Sequence, residues 1–192
     1  MCNLYTMDAP TSDLFTVFGI AGTRINLQSY DEIYPNREAP IVRMEGGERI
    51  LERVTWGMPG YGKVKRPITN VRNLESNFWK NMLADPDRRC LVPATKFCEW
   101  TGEKGSKRKV WFEVTDQPLF AFAGIWRPTE EGARMAFLTT EPNETVGAIH
   151  PKAMPVILRE NGHKTWLDAE WNDARGLVAA YDDEAMEIAE SD

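Results

Sequence analysis

Cysteine and histidine are scarce in this 192-residue chain, which has three of the first and two of the second. An odd cysteine count without a secretory signal argues against a disulfide framework, so reduced thiols are expected. Cys90 and Cys98 lack Cys-x-x-Cys spacing, and His150 and His163 lack a finger-like arrangement. Zinc is therefore a poor fit. No apolar run approaches the length that spans a bilayer. Residues 1–10 lack the basic segment and apolar stretch of a signal peptide. Internal repeats and low-complexity linkers are missing as well. These absences lead to the expectation of a cytoplasmic, membrane-free protein built as one domain over residues 1–192.

The composition, 42% hydrophobic with 10% aromatic, is that of a chain able to bury a core. The net charge of −6 at first disfavours a nucleic-acid partner. Its distribution reverses that impression. Residues 60–109 hold 12 Lys and Arg against 5 Asp and Glu, while the remainder holds 11 against 24. A basic middle between acidic ends is compatible with a local phosphate-binding face, although a merely solvated surface has the same composition.

Patterning points to many strands and few helices. Thr11, Ser12 and Asp13 are candidate caps for a short helix carrying Leu14, Phe15 and Phe18. Residues 41–44, the turn 45–48 and residues 49–51 form a hairpin pattern that residues 54–56 could continue. Gly57, Pro59, Gly60, Gly62 and Pro67 mark a loop carrying Lys63, Lys65 and Arg66. Residues 76–83 suit a helix ended by Asp85-Pro86. Strands are expected at 90–92, 97–101, 110–114, 119–125 and 135–139, with helices at 164–167 and 169–180. The acidic residues 182–192 are expected to fray. The fold class expected is α+β, with a curved, mostly antiparallel sheet, a barrel-like core and peripheral short helices.

Four places carry reactive groups. If Met1 is trimmed, Cys2 presents an α-amine and a thiol on one residue, with ordinary pKa values of about 8 and about 8.5. The amine can form an imine with an aldehyde, and the thiol can close on the same carbon to give a thiazolidine. Glu99, between Cys98 and Trp100, is either an outward strand carboxylate or a proton-transfer group in a cleft. His150, between Ile149 and Pro151, is either a core or helix-end histidine or a rigidly presented acid/base. Asn70 and Arg72 follow the basic loop. They offer an amide and a phosphate-matched fork, or simply tie the loop to the sheet, with Glu75 as a partner for Arg72. Weighed alone, each residue has a structural explanation at least as good as the catalytic one.

The combination resembles the SOS response-associated peptidase family, whose members process abasic sites. Met1-Cys2, residues 70–75 (Asn-Val-Arg-Asn-Leu-Glu), residues 89–94 with 97–100 (Phe-Cys-Glu-Trp), and Thr139-Thr140 followed by His150 and Met154-Pro155 carry the resemblance in the family's order, and Trp56-Gly57 fits its Trp-Gly loop. The resemblance implies a thiazolidine crosslink at Cys2, proton transfer by Glu99, assistance at the sugar oxygen by His150 and orientation by Asn70. It also implies single-stranded DNA containing abasic sites as the partner. It implies Arg72 as a phosphate contact, and Trp56, the basic-loop residues Lys63, Lys65 and Arg66, and Lys152 are further candidate DNA contacts. A monomer without cofactor or metal is expected. Three positions depart from the usual pattern. Asn3 and Leu4 follow Cys2 where Gly-Arg is common, three residues rather than two separate His150 from Met154, and Cys98 stands where an aromatic residue precedes the glutamate.

Two other functions share some of these features. An N-terminal-nucleophile amidohydrolase would use the Cys2 thiol with its own amine as base, but it leaves the basic segment, Glu99 and His150 unexplained. A non-covalent single-strand-binding module would use the basic face and aromatics alone.

Overall fold

The computed structural model describes residues 2–26, 30–60, 62, 64–103 and 105–189. Fourteen strands are present among them. They are β1 (Tyr5–Met7), β2 (Gly22–Thr23), β3 (Tyr30–Ile33), β4 (Glu38–Glu45), β5 (Glu48–Trp56), β6 (Asn70–Val71), β7 (Arg89–Ala94), β8 (Lys96–Thr101), β9 (Arg108–Val114), β10 (Phe120–Arg127), β11 (Arg134–Thr140), β12 (Met154–Pro155), β13 (Ile157–Leu158) and β14 (Met186–Ile188). The helices are short: α1 (Thr11–Phe18), α2 (Asn77–Ala84), α3 (Glu144–Gly147), α4 (His163–Asp168) and α5 (Trp171–Arg175).

The strands form two sheets. One runs β14-β9-β8-β1-β3. The other runs β12-β11-β10-β7-β4-β5-β2, with β13 on β10 and β6 on β11. Most pairs are antiparallel, but β5 also pairs in parallel with β11. Hydrogen bonding therefore passes from β11 through β10, β7, β4 and β5 and back to β11 as a ring. This ring and the five-stranded sheet beside it stand where the sequence suggested a barrel-like core. Tyr5, Trp56, Phe97, Phe122 and Phe137 lie fully buried and meet edge-on, tilted or stacked, joining the two sheets through aromatic contacts.

Local chemistry explains the best-defined elements. The β4–β5 hairpin turns at Gly46 and Gly47, both at positive φ (60° and 86°), a conformation costly for residues with a Cβ. Helix α2 starts at Ser76, whose hydroxyl accepts from Phe78 N, and stops before Asp85-Pro86.

Three expectations need correction. Helix α1 includes Thr11 in its first turn and has Pro10 at the cap position, with no side-chain cap. The helix expected over 169–180 ends at Arg175. Beyond it Gly176, Leu177 and Val178 donate to carbonyls three residues back, a tightening consistent with the poor helix propensity of glycine. The acidic segment expected to fray is structured from Asp182 to Ala189, and residues 190–192 lie outside the described residues. Asp182 accepts from Glu184 N, and Met186–Ile188 pairs antiparallel with β9. Buried Ala185, Met186 and Ala189 supply the apolar anchors hidden within that charged stretch.

His163 at the start of α4 is buried against Phe18, ring centroids 5.4 Å apart. Burial, helped by the charge of Arg49, pushes its pKa down to about 4. The unfolded chain then takes up a proton near pH 6.5 that the folded chain refuses. The stability present above that pH should fall by about 3 kcal/mol as pH drops toward 4. Urea denaturation at pH 7 and pH 4.5 checks this. His163→Phe should flatten that part of the acid limb, and an unchanged slope would contradict the assignment.

Candidate functional site

The site is built where the N-terminal end of the chain crosses β8 and β6. Cys98 N donates to Leu4 O at 2.9 Å, extending the β1–β8 pairing back toward Cys2. Thr69 Oγ1 and Asn3 Oδ1 lie 3.1 Å apart. That bond lays the chain at Asn70 beside the chain at Cys2.

Cys2 is fully buried, and its thiol donates weakly to Leu4 O at 3.4 Å. Burial, reinforced by the negative charge of Glu99, pushes the thiol pKa far up. A thiol so placed stays protonated until a base relieves it. Glu99, only 2% exposed on β8, faces inward, which settles the alternative left open by strand alternation. Burial raises its pKa, and the nearby His150 opposes the rise. Cys2, Glu99 and His150 thus form an electrostatically linked set.

His150 is held by its surroundings. Its backbone N donates to Val146 O at 2.8 Å at the end of α3, and its Nδ1 lies 2.9 Å from Ala153 O. A carbonyl only accepts, so Nδ1 carries a proton and Nε2 is the basic nitrogen of the neutral ring. Asn70 on β6 pairs in register with Phe137 and is buried. Neither Oδ1 nor Nδ2 of its amide has a hydrogen-bond partner among the described residues. A buried amide left this way is costly unless a ligand completes it.

The other expected contacts are dispersed. Lys65, Arg66 and Lys152 are exposed, and Lys63 lies outside the described residues. The loop that presents Lys65 and Arg66 is closed at its base by reciprocal Met58–Ile68 backbone bonds of 2.9 Å. A Cβ on Gly60 would come within 2.1 Å of Val64 O, so the loop's inward fold requires glycine there. Arg72 pairs with Glu141 rather than with Glu75, which instead meets Arg175 at 2.8 Å. Trp56 is a correction. It is fully buried, its Nε1 donates to Thr69 O at 3.1 Å, and its ring stacks on Phe137, so it has no face to offer a base. Its place is under the site, holding the Thr69 backbone.

One site neighbour, Tyr5, escaped the sequence reading. The Tyr5 hydroxyl is buried without a partner among the described residues, and burial and the charge at Cys2 push its pKa well up. Thr139 is buried with its hydroxyl likewise unpartnered among them. Nothing in the local pattern marks Tyr5, which looks like an ordinary strand residue, whereas Thr139 stands in the Thr139-Thr140 segment that carries the family resemblance. Among the described residues, no group of three His, Cys, Asp or Glu is placed to hold a metal ion, and no helix is long and apolar enough to cross a membrane.

Fold and site together define a β-rich protein presenting a thiol, a carboxyl and an imidazole around a buried stretch near its N-terminus. The sequence matches the family described as SOS response associated peptidase (SRAP) over residues 1–191, and the chain belongs to that family. It is 28% identical to the abasic site processing protein YoqW of Bacillus subtilis (strain 168), covering 97% of this chain and 90% of that protein. YobE of the same organism, also called an abasic site processing protein, is 27% identical, covering 97% and 92%. The fold matches crystal structures of a Bacteroides thetaiotaomicron protein (TM-score 0.82, 21% identity, 97% and 90% covered) and a Bordetella bronchiseptica protein (0.81, 20%, 98% of both).

Proposed function

We propose that this protein processes abasic sites in single-stranded DNA by forming a covalent thiazolidine through Cys2 once Met1 has been removed. The observation that carries the reading is the linkage of Cys2, Glu99 and His150 beside an Asn70 amide whose polar atoms await a partner. The names of the Bacillus relatives support the substrate class.

An abasic sugar is mostly a closed hemiacetal. Opening it takes a proton from the anomeric hydroxyl and gives one to the ring oxygen. Glu99, whose pKa burial raises, and His150 Nε2 divide these transfers. The freed Cys2 amine attacks the aldehyde, water leaves, and an imine remains. The thiol then adds to the imine carbon while its proton passes to the nitrogen, so the net products are thiazolidine and water. Glu99 or His150 carries that proton, which the buried thiol does not release unaided. Asn70 orients the sugar or the amine, and Arg72, Lys65, Arg66, Lys63 and Lys152 meet phosphates. The same groups serve hydrolysis, both for slow release of the crosslink and for cleavage of a residue preceding Cys2.

The test is a denaturing gel of the protein incubated with single-stranded DNA carrying one abasic site, after intact mass has confirmed loss of Met1. A shifted band is expected, and Cys2→Ala should lose it completely. Salt-sensitive binding without a shifted band would leave a non-covalent single-strand module and overturn the proposal.

A further inference from the structure

Residues 2–5 present a single side chain to solvent. Cys2, Leu4 and Tyr5 are fully buried, whereas Asn3 between them is exposed. The enclosed, apolar Leu4 has nothing to offer a polar substrate. The Asn3 amide has one end already engaged. Thr69 Oγ1 donates to Asn3 Oδ1 at 3.1 Å, so the carbonyl end meets the chain at β6 and the NH2 end is left over. That NH2 has no hydrogen-bond partner among the described residues. Thr69 is a firm anchor for it. The residue is only 8% exposed, and its backbone carbonyl accepts from Trp56 Nε1 at 3.1 Å and from Phe137 N at 3.3 Å.

We infer that Asn3 is a substrate-binding residue, whose side-chain NH2 donates to an acceptor oxygen of the abasic nucleotide while Thr69 holds its carbonyl. The inference rests on the proposed function for the identity of the substrate. Position is the first argument. Asn3 follows the residue whose amine and thiol both bond to the aldehyde carbon, and neighbouring Cα atoms are only about 3.8 Å apart. Oxygens of the captured nucleotide therefore come within reach of its amide. Orientation is the second. The Thr69 bond fixes the amide before substrate arrives, so less side-chain freedom is lost on binding. Chemistry is the third. An abasic nucleotide has no base to read, and its sugar and phosphodiester oxygens are what distinguish it from a simple aldehyde. A neutral group with two N–H donors recognises such oxygens by geometry and not by charge alone.

Aldehydes of graded complexity separate a binding role from a structural one. Protein shown by intact mass to lack Met1 is reacted in single turnover with a single-stranded oligonucleotide carrying one abasic site, with free 2-deoxyribose, and with acetaldehyde. Acetaldehyde has no oxygen besides the reacting carbonyl. Asn3→Ala should slow crosslinking to the oligonucleotide by about 3–10-fold, the loss of one hydrogen bond. Its thiazolidine formation with acetaldehyde should keep the wild-type rate. Asn3→Asp keeps an acceptor for Thr69 but replaces the donors with a charge, so it should be at least as slow on the oligonucleotide as Asn3→Ala. Asn3→Asp at the wild-type rate would mean that only the Thr69 bond matters, and it would overturn the inference. An equal loss of Asn3→Ala on acetaldehyde would overturn it too, since Asn3 would then merely hold Cys2. With free 2-deoxyribose, a matching loss supports a sugar oxygen as the acceptor, and an unchanged rate supports a flanking phosphodiester. Wild-type crosslinking that the Asn3 variants leave unaltered removes the inference and leaves the proposed function. Failure of the wild type to crosslink the oligonucleotide removes both.

Discussion

Glu99→Gln should slow crosslink formation at neutral pH by about 10²–10⁴-fold, the span that general acid–base groups contribute. The glutamine amide keeps the shape and hydrogen-bonding capacity of the side chain but carries no transferable proton. The wild-type rate should show a pH limb centred above the ordinary carboxylate value, because burial raises the pKa of Glu99. That limb should vanish in the variant. Stability moves the other way. A carboxyl whose folded pKa is raised contributes stability at low pH that is lost as pH rises through that pKa. Near neutrality its ionised form is a burden, so Glu99→Gln should be as stable as the wild type or more so. Single-turnover crosslinking across pH, set beside urea denaturation, separates the two effects. A folded variant that crosslinks at the wild-type rate would refute the acid/base role given to Glu99.

The second large effect lies beneath the site. Trp56→Ala should destabilise the protein by about 3–5 kcal/mol, the range for emptying a buried aromatic position. Trp56 stacks on Phe137 at 5.1 Å, meets Tyr5 edge-on at 5.1 Å, and joins β5 to β11 through its pairing with Met135. It also donates to Thr69 O, and Thr69 in turn binds Asn3 beside Cys2. Trp56→Phe should keep most of the packing and lose that one donor. Its stability cost should be smaller, about 1–2 kcal/mol, while crosslinking slows because Asn70 and Cys2 lose their common support. Chemical denaturation measures the first change and gel-shift kinetics the second. If Trp56→Phe binds DNA less tightly yet crosslinks bound DNA at the normal rate, Trp56 acts at the DNA surface after all.

Trp56 illustrates why some roles resist a linear reading. A tryptophan next to Gly57 at the mouth of a basic loop suits a stacking ring as well as a core ring. Only the parallel β5–β11 pairing, which joins segments far apart in the chain, buries it. The strand at 186–188 has the same cause. Its residues are too few and too acidic to announce a strand, and the edge of β9 draws them in by supplying hydrogen bonds and a place for Met186.

By itself the sequence determined whatever short-range chemistry controls: the Gly46-Gly47 hairpin, the Ser76 cap and Asp85-Pro86 stop of α2, the alternating strands, and the family through motifs spaced along the chain. It also named Cys2, Asn70, Glu99 and His150 as candidates without deciding between structural and chemical roles. Tertiary structure decided how each is enclosed. It turned Glu99 inward and buried the thiol of Cys2. It left the Asn70 amide and Thr139 hydroxyl without partners among the described residues, and matched Arg72 with Glu141 and Arg175 with Glu75. The reason is physical. Burial and pairing depend on which distant strands enclose a side chain, and that enclosure, more than residue type, sets its pKa and its need for a ligand.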